Sequence, residues 1–220
     1  MSRRLPQWED AAPPAEPERV VAWTLERFAL ERLVITTAFG MEGCALIDMY
    51  ATHGVPLAVV YLDTMFFFPE THRLRDRLAR RYPHLRFENR GTTLTPEQQA
   101  ALHGPALWKT DPDRCCRIRK VEPMRRVLAG ADAWVTAISR GQSDARANVR
   151  VLQWDEPFGV LKVCPLAAWD RQRVWRYVCE RGVPYNELRL LNSTTAQTEK
   201  ACRVNRVIDE DDCGARGRRL

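Results

Sequence analysis

Residues 33–51 read Leu33-Val-Ile-Thr-Thr-Ala-Phe-Gly-Met-Glu-Gly-Cys-Ala-Leu-Ile-Asp-Met-Tyr-Ala51. The run from Leu33 to Thr37 has the length and the β-branched composition of a buried strand. The apolar run from Cys44 to Ala51 predicts a helix, and the loop between them contains Gly40 and Gly43. A strand that passes through a glycine-containing loop into a helix is typical of α/β domains. At such a helix start, backbone N–H groups can bind an anion.

The same alternation continues along the chain. Further strands are predicted at 57–62 and 133–138, and two short strands near 149–153 and 160–164. Helices are predicted from Glu18 and at 69–81, 117–128 and 170–181, and residues 86–114 are predicted to be irregular around a short helix after Pro96. This alternation predicts an α/β domain with three layers, in which a mostly parallel sheet carries helices on both faces.

Length and composition limit the architecture and the partners. The 220 residues suit one domain at 18–188, after a loose leader at 1–17 and before an atypical tail at 189–220, for which disorder is one alternative. The net charge of +6 is a mild excess, which does not favour a nucleic-acid partner. No apolar run is long enough to cross a bilayer, and no apolar segment follows Arg3 and Arg4. We therefore expect a cytoplasmic protein without a membrane partner.

Three predicted loops follow strands, at 38–43, 62–64 and 139–146. Because ligands of such sheets bind beyond the carboxyl ends of the strands, these loops are candidates for a binding site. The third loop contains Arg140 and Arg146 together with the hydroxyls of Ser139 and Ser143. Such a set can bind phosphate or sulfate, and a merely solvated loop is the alternative.

The seven cysteines fall into two groups. Cys44, Cys164 and Cys179 lie in apolar surroundings, which favours a role in core packing. The remaining four lie in polar surroundings, and they are Cys115, Cys116, Cys202 and Cys213. The adjacent pair is flanked by four basic residues, Arg114, Arg117, Arg119 and Lys120. Positive charge favours the thiolate, and soft thiolate ligands suit zinc or an iron–sulfur cluster.

The segment Asp111-Pro-Asp-Arg-Cys-Cys-Arg-Ile-Arg-Lys-Val-Glu-Pro-Met124 resembles the double-cysteine segment of the assimilatory adenylyl-sulfate and phosphoadenylyl-sulfate reductases. Other segments resemble that family in the same order. They are 38–42 for its pyrophosphate loop, 61–64 with 68–71 for its nucleotide-contacting strand and helix start, 140–146 for its anion clamp, and 162–186 for its last strand and helix. The resemblance covers roughly residues 20–188.

This resemblance implies an adenine-nucleotide α-hydrolase-like fold and a reductive reaction of sulfate assimilation and cysteine biosynthesis. A thiolate attacks the sulfur of adenosine 5′-phosphosulfate, AMP leaves, and thioredoxin or glutaredoxin then releases sulfite. The 3′-phosphorylated substrate is the alternative, and a homo-oligomer is left open. The resemblance also implies a [4Fe-4S] cluster with Cys115, Cys116 and Cys202 as ligands, and Cys213 as the nucleophile. The implied substrate-binding residues are Phe39, Gly40, Glu42, Asp63, Thr64, Lys120, Arg140, Ser143 and Arg146.

The tail departs from the family because it contains no Cys-x-x-Cys pair. A cluster with four thiolates and a separate nucleophile require five cysteines, whereas four lie outside the apolar elements. A non-cysteine or external ligand, a missing nucleophile and a recruited core cysteine are the three alternatives. A nucleotide-binding relative without reductase turnover is therefore the second functional hypothesis. An ATP-pyrophosphatase-type enzyme ranks last, because the Ser-Gly-Gly-x-Asp loop of that class is absent.

Overall fold

The computed structural model describes residues 16–186. Its centre is one six-stranded sheet. The strands are β1 (Leu33–Thr36), β2 (Ala58–Tyr61), β3 (Arg86–Asn89), β4 (Ala133–Val135), β5 (Leu152–Asp155) and β6 (Val160–Val163). Their order across the sheet is β3-β2-β1-β4-β6-β5. The pairings are parallel except for the antiparallel hairpin of β5 with β6, which confirms a mostly parallel sheet.

The helices connect these strands. They are α1 (Pro17–Arg27), α2 (Met41–Ala51), α3 (Pro69–Arg81), α4 (Pro96–His103), α5 (Leu107–Thr110), α6 (Pro112–Cys116), α7 (Glu122–Leu128) and α8 (Arg171–Glu180). A π-helical turn, Arg117–Val121, joins α6 to α7, and short 3₁₀ turns lie at Leu30–Arg32, Arg140–Gln142 and Asp144–Arg146. Proline opens α1, α3, α4 and α6, where its missing N–H costs no helical hydrogen bond.

Apolar side chains fill the space on both faces of the sheet. Ile35 and Val135 belong to the larger core, together with apolar residues of α1, α2, α3 and α8. Trp134, the neighbour of Val135 in β4, belongs to a second core with Met124 and Leu128 of α7. Since successive side chains of a strand point to opposite faces, helices cover both sides of the sheet. The prediction of three layers is confirmed.

The prediction that residues 86–114 are irregular apart from one short helix was wrong. This segment contains β3, α5 and the start of α6 as well as the predicted helix α4. The helix predicted to begin at Arg117 begins at Pro112 instead, because the Asp111 carboxylate accepts the Arg114 backbone N–H at 3.0 Å and caps it. The cysteine pair therefore lies inside the helix, at the end of its first turn.

Two of the three cysteines predicted to lie in the core do so. Cys44 and Cys164 are fully buried, but Cys179 is exposed, so that prediction was wrong for Cys179. Helix α8 turns Val174 and Val178 toward the core, and Cys179 is rotated by about 100° from Val178. Within residues 16–186, no helix combines the length and the apolar character that a membrane span requires.

Candidate active site

The three predicted loops all lie at the carboxyl ends of the strands. Strand β1 pairs in parallel with β2 on one side and with β4 on the other, so the loops that follow these strands all leave the sheet at the same end. The order of connection reverses between β1 and β4. In open α/β sheets, the crevice at such a reversal is where ligands bind.

The loop after β1 is held by its own side chains. Phe39 has a φ of 58°, which is unusual for a bulky residue, and its backbone N–H donates to the Thr37 Oγ1 at 2.9 Å. Its ring is buried against Tyr61, Phe67 and Phe87. The Phe39 ring therefore belongs to the core, and the role of this residue in substrate binding stays a prediction.

The predicted residues Gly40 and Glu42 stand at the start of α2. Gly40 is the residue before the first helical turn, and half-buried Glu42 lies in that turn. The first N–H groups of a helix have no partner within the helix and favour an anionic ligand. Because the Glu42 carboxylate lies in the same turn, the role of this loop in binding a phosphate-type group stays a prediction.

The loop after β2 is ordered by hydrogen bonds around Asp63. The Asp63 N–H donates to Asn89 Oδ1 of β3 at 3.1 Å, and the Asp63 Oδ1 accepts the Met65 N–H at 2.8 Å. The Asp63 Oδ2 lies 3.6 Å from the His72 Nε2 of α3. Thr64, the next predicted residue, is buried. The strand that was not predicted, β3, thus positions a predicted site residue.

The loop after β4 places its two predicted arginines differently. Arg140 is exposed, and its Nε donates to the Val149 carbonyl at 2.8 Å. Arg146 is buried, and its guanidinium donates to the side-chain oxygen of Gln142. Ser143 lies between them on the surface. The role of this loop in anion binding stays a prediction.

The cysteine pair lines a small open pocket beside the loop after β2. Cys115 is buried and Cys116 is partly exposed. The pocket is lined by Thr64, Phe66, Trp108, Pro112, Cys115, Cys116, Arg119 and Lys120. The structure thus brings the predicted residues Thr64 and Lys120 together with both thiols.

The helix widens into its π turn directly after the cysteines. Pro123 has no N–H to donate to the Arg119 carbonyl, and its ring would crowd that carbonyl in a regular helix. A wider turn before the proline relieves this conflict, and such turns are frequent at functional sites. Arg119, within the π turn, faces the interior and is only 2% exposed.

Arg119 is a site residue that sequence reasoning missed. Its Nη1 donates to the Thr64 carbonyl at 2.8 Å and to the Leu94 carbonyl at 3.1 Å, and its guanidinium carbon lies 4.7 Å from the centre of the Phe66 ring. Burial lowers the pKa of Arg119, and the nearby Cys115 sulfur acts in the opposite direction. The available signal was the spacing, because Cys115 and Arg119 are four residues apart and share one helical face.

Two polar atoms of the pocket residues have unused hydrogen-bonding capacity. The Thr64 Oγ1 and the Arg119 Nη2 are buried, and neither has a hydrogen-bond partner among residues 16–186. Unpartnered buried donors are costly, so they favour an acceptor ligand in the pocket. In the same part of the chain, no group of three or more Cys, His, Asp or Glu residues could hold a metal ion. The predicted residues Cys202 and Cys213 lie outside the described residues.

The sequence matches the family model described as "Phosphoadenosine phosphosulfate reductase domain" over residues 32–192. The chain belongs to this reductase family. The family predicted from the sequence motifs is therefore confirmed, and the matched range contains all three strand-end loops and the cysteine pair.

Several relatives carry the names of reductases of this family. The chain is 42% identical to a phosphoadenosine 5′-phosphosulfate reductase of Gloeobacter violaceus over 182 residues, which are 83% of this chain and 73% of that protein. It is 40% identical to an adenosine 5′-phosphosulfate reductase of Staphylococcus epidermidis over 169 residues, 77% of this chain and 69% of that protein. The names of the relatives thus include both forms of the sulfonucleotide.

Solved structures agree with the family and its fold. The crystal structure of the phosphoadenylyl-sulfate reductase from Candida auris matches with a TM-score of 0.69 and 32% identity, covering 82% of this chain and 86% of that one. The NMN synthetase from Francisella tularensis matches with a TM-score of 0.53 at 12% identity, covering 92% and 96%. The second likeness concerns the fold alone, and it agrees with the predicted adenine-nucleotide α-hydrolase-like architecture.

Proposed function

We propose that this reductase converts adenosine 5′-phosphosulfate, or its 3′-phosphorylated form, to sulfite and AMP, or the corresponding bisphosphate, in sulfate assimilation and cysteine biosynthesis. The observation that carries this proposal is the pocket in which Cys115 and Cys116 lie beside the cations Arg119 and Lys120. Thr64, in the loop that follows β2, lines the same pocket, and its carbonyl accepts the Arg119 Nη1. This contact supports a thiol site next to the strand-end loops in which the proposed nucleotide binds.

The described residues have distinct roles in this proposal. The start of α2, with Gly40 and Glu42, and the loop after β4, with Arg140 and Arg146, flank the crevice that receives the nucleotide. Lys120 supplies positive charge on the pocket side, where the anionic sulfate end of the substrate binds. These groups bind and orient the substrate so that its sulfur is open to a thiolate.

The thiol chemistry requires a nucleophile and a dithiol donor. We propose that the Cys213 thiolate forms a bond to the sulfate sulfur while the bond from sulfur to the bridging oxygen breaks, and AMP leaves with the electron pair. A thiolate of reduced thioredoxin or glutaredoxin then attacks the cysteine sulfur, and sulfite leaves. The donor's second thiol closes a disulfide and regenerates the Cys213 thiol. These reaction steps need a reduced dithiol donor. Because such dithiols are kept reduced in the cytoplasm, we propose a cytoplasmic location.

We further propose that Cys115 and Cys116 hold an iron–sulfur cluster of the [4Fe-4S] type. The two thiols, the adjacent positive charge and the unpartnered Thr64 and Arg119 atoms support this assignment, since cluster sulfides accept hydrogen bonds. Cys202 is the proposed third ligand. When bound there, such a cluster would supply a redox-active group next to the pocket that Thr64, Arg119 and Lys120 line.

The enzymatic proposal is tested with protein purified without air, adenosine 5′-phosphosulfate and a thioredoxin-regenerating system. We expect sulfite to form only when thioredoxin or glutaredoxin is present, and parallel assays with the 3′-phosphorylated substrate measure the preference. Protein that binds AMP but forms no sulfite from either substrate would instead support the nucleotide-binding relative without turnover.

The cluster proposal is tested by iron and sulfide analysis of the same protein. We expect a brown protein whose iron is lost in Cys115→Ser and in Cys116→Ser. Cys179→Ser is the matched control, because Cys179 is exposed on α8 and should leave the iron content unchanged. Iron-free wild-type protein, or a variant pair that keeps its iron, would contradict the assignment.

A further inference from the structure

A buried arginine joins the cysteine pair to a glutamine of a neighbouring helix. Besides its bonds to the Thr64 and Leu94 carbonyls, Arg119 donates from Nε to the Gln99 Oε1 at 2.8 Å. Gln99 belongs to α4 and is 1% exposed. Two buried polar side chains, one from α4 and one from the π-helical turn, thus meet beside Cys115.

The chemistry of arginine determines which way the Gln99 amide points. A guanidinium can only donate hydrogen bonds, so the glutamine oxygen must face Arg119. The amide nitrogen then faces the other way, where the Cys115 Sγ lies 3.7 Å from it. The donor of this N–H···S contact therefore follows from the partner on the opposite side of the amide.

The position of Gln99 is also held by its backbone. Helix α4 begins with a capping box, in which the Thr95 hydroxyl accepts the Gln98 N–H at 3.2 Å and the Gln98 side chain accepts the Thr95 N–H at 2.9 Å. Gln99 follows immediately in the first turn. Because its backbone and both ends of its amide are engaged, the side chain has little freedom to turn away from Cys115.

We infer that Gln99 is a positioning residue, which Arg119 holds so that its amide donates to the Cys115 Sγ and withdraws electron density from that sulfur. This inference rests on the proposed cluster only for its redox consequence, since the contact itself lies within the described chain. A hydrogen bond to a ligand sulfur weakens the iron–thiolate bond and stabilises the reduced cluster. In protein that holds the cluster, Gln99 would therefore raise the reduction potential of the cluster and lower the stretching frequency of the bond between iron and the Cys115 sulfur.

The contact is tested first in metal-free, reduced protein by NMR of glutamine side-chain amides. The Gln99 signal is identified by its loss in Gln99→Met. We expect it to move upfield in Cys115→Ala and to stay unchanged in Cys179→Ala, whose thiol lies on α8. If the chemical shift of the Gln99 amide is the same in wild-type protein and in Cys115→Ala, the inference is overturned, whatever the iron content of the protein.

The consequence is tested in cluster-loaded protein with two variants of Gln99. Gln99→Glu keeps an oxygen for Arg119 but has no N–H for sulfur, and Gln99→Met removes both groups without adding charge. We expect both variants to shift the iron–thiolate Raman bands to higher frequency and the midpoint potential to more negative values. Gln98→Glu is the matched control, because Gln98 is exposed and glutamate also suits the capping box.

The outcomes distinguish the role inferred for Gln99 from the proposed iron–sulfur cluster. Wild-type protein without iron would refute the cluster, while the NMR experiment would still decide the contact. Bands and potentials that equal the wild-type values in both Gln99 variants would refute the role of Gln99, while the cluster would stand. A shift in Gln99→Glu alone would show an effect of charge and would also overturn the inference.

Discussion

Gly43 on α2 lies so close to Thr37 that a Cβ atom at position 43 would stand 2.6 Å from the Thr37 Oγ1. That oxygen accepts the Phe39 N–H at 2.9 Å and so holds the loop after β1. Thr37 is buried and its side chain is short, so it has little room to move away. The glycine is thus required by the packing of the loop against the first turn of the helix.

We expect Gly43→Ala to lower the free energy of unfolding by about 1–3 kcal/mol, because the new methyl group overpacks against Thr37. It should also weaken AMP binding, since the displaced hydroxyl holds the loop through Phe39. Urea unfolding and calorimetry measure the two effects. Thr37→Ala removes the clashing oxygen, so the double variant should be more stable than the sum of the single changes predicts. Strict additivity would contradict the proposed contact.

The buried carboxylate of Asp48 connects three helices of the larger core. Its oxygens accept the hydroxyls of Tyr82 at 2.6 Å and of Tyr177 at 2.7 Å, and the Arg181 Nε also donates to it. We expect Asp48→Asn to destabilise the protein by about 2 kcal/mol, the scale of a hydrogen bond to a charged group. Asp76→Asn should cost less than about 1 kcal/mol, because that carboxylate is half exposed and pairs on the surface with Arg75. Equal losses in urea unfolding would contradict this account.

Stability should fall at alkaline pH because of two buried tyrosines, Tyr50 and Tyr82, and the partly buried Tyr177. Burial raises the pKa of Tyr50, and burial together with the Asp48 carboxylate raises the pKa of Tyr82 and of Tyr177. The unfolded chain loses these protons from about pH 10 upward, whereas the folded chain retains them. The stabilisation is therefore fully present below about pH 10 and decreases as the pH rises above it. Tyr177→Phe should show a shallower decrease in urea unfolding across this range, and an unchanged slope would contradict the assignment.

The loop after β4 should contribute to nucleotide affinity. We expect Arg140→Ala and Arg146→Ala each to weaken binding of AMP and adenosine 5′-phosphosulfate by about 1.5–3 kcal/mol, the scale of charge-assisted hydrogen bonds. Arg150→Ala is the control, because Arg150 is exposed just beyond the loop. Calorimetry measures all three variants. Unchanged affinity in both Arg140→Ala and Arg146→Ala would refute the anion clamp.

The nucleophile can be identified without a reductant. Incubation with labelled adenosine 5′-phosphosulfate should leave the sulfonyl label on Cys213, and Cys213→Ser should remain unlabelled. In the sequence, Arg216, Arg218 and Arg219 follow shortly after Cys213, and neighbouring positive charge is a feature that favours a thiolate. Peptide mapping by mass spectrometry locates the adduct. A label on Cys202 would transfer the role to that residue, and no adduct on protein that binds AMP and iron would refute covalent reduction.

Strand β3 could not be predicted from the pattern of apolar residues in its own sequence. Arg86 and Glu88 alternate with Phe87 and Asn89, and the strand lies at an edge of the sheet with both of its end residues exposed. It has no apolar run of the kind that marked the other strands. Its conformation comes from pairing with β2, whose sequence is distant, so no local window contains the decisive information.

Around the cysteine pair, some features could be predicted from consecutive residues and others could not. The double cysteine, its basic neighbours and the helix that follows are evident in consecutive residues. The contact with Gln99 is not, because Gln99 lies 16 positions before Cys115, with the short helix α5 between them. The exposure of Cys179 also escaped prediction, since an apolar neighbour in sequence does not share its face of the helix.

The alternation of strands and helices, the three loops at strand ends, the cysteine pair and the family could all be predicted from the amino-acid sequence. These features depend on periodicity and on motifs, which are local properties of the chain. The contacts of Gln99 with Arg119 and Cys115, of Asp48 with Tyr82 and Tyr177, and of Asn89 with Asp63 are evident only in the folded chain. Such contacts depend on the relative placement of distant elements, and that placement follows from the packing of the whole sheet and its helices.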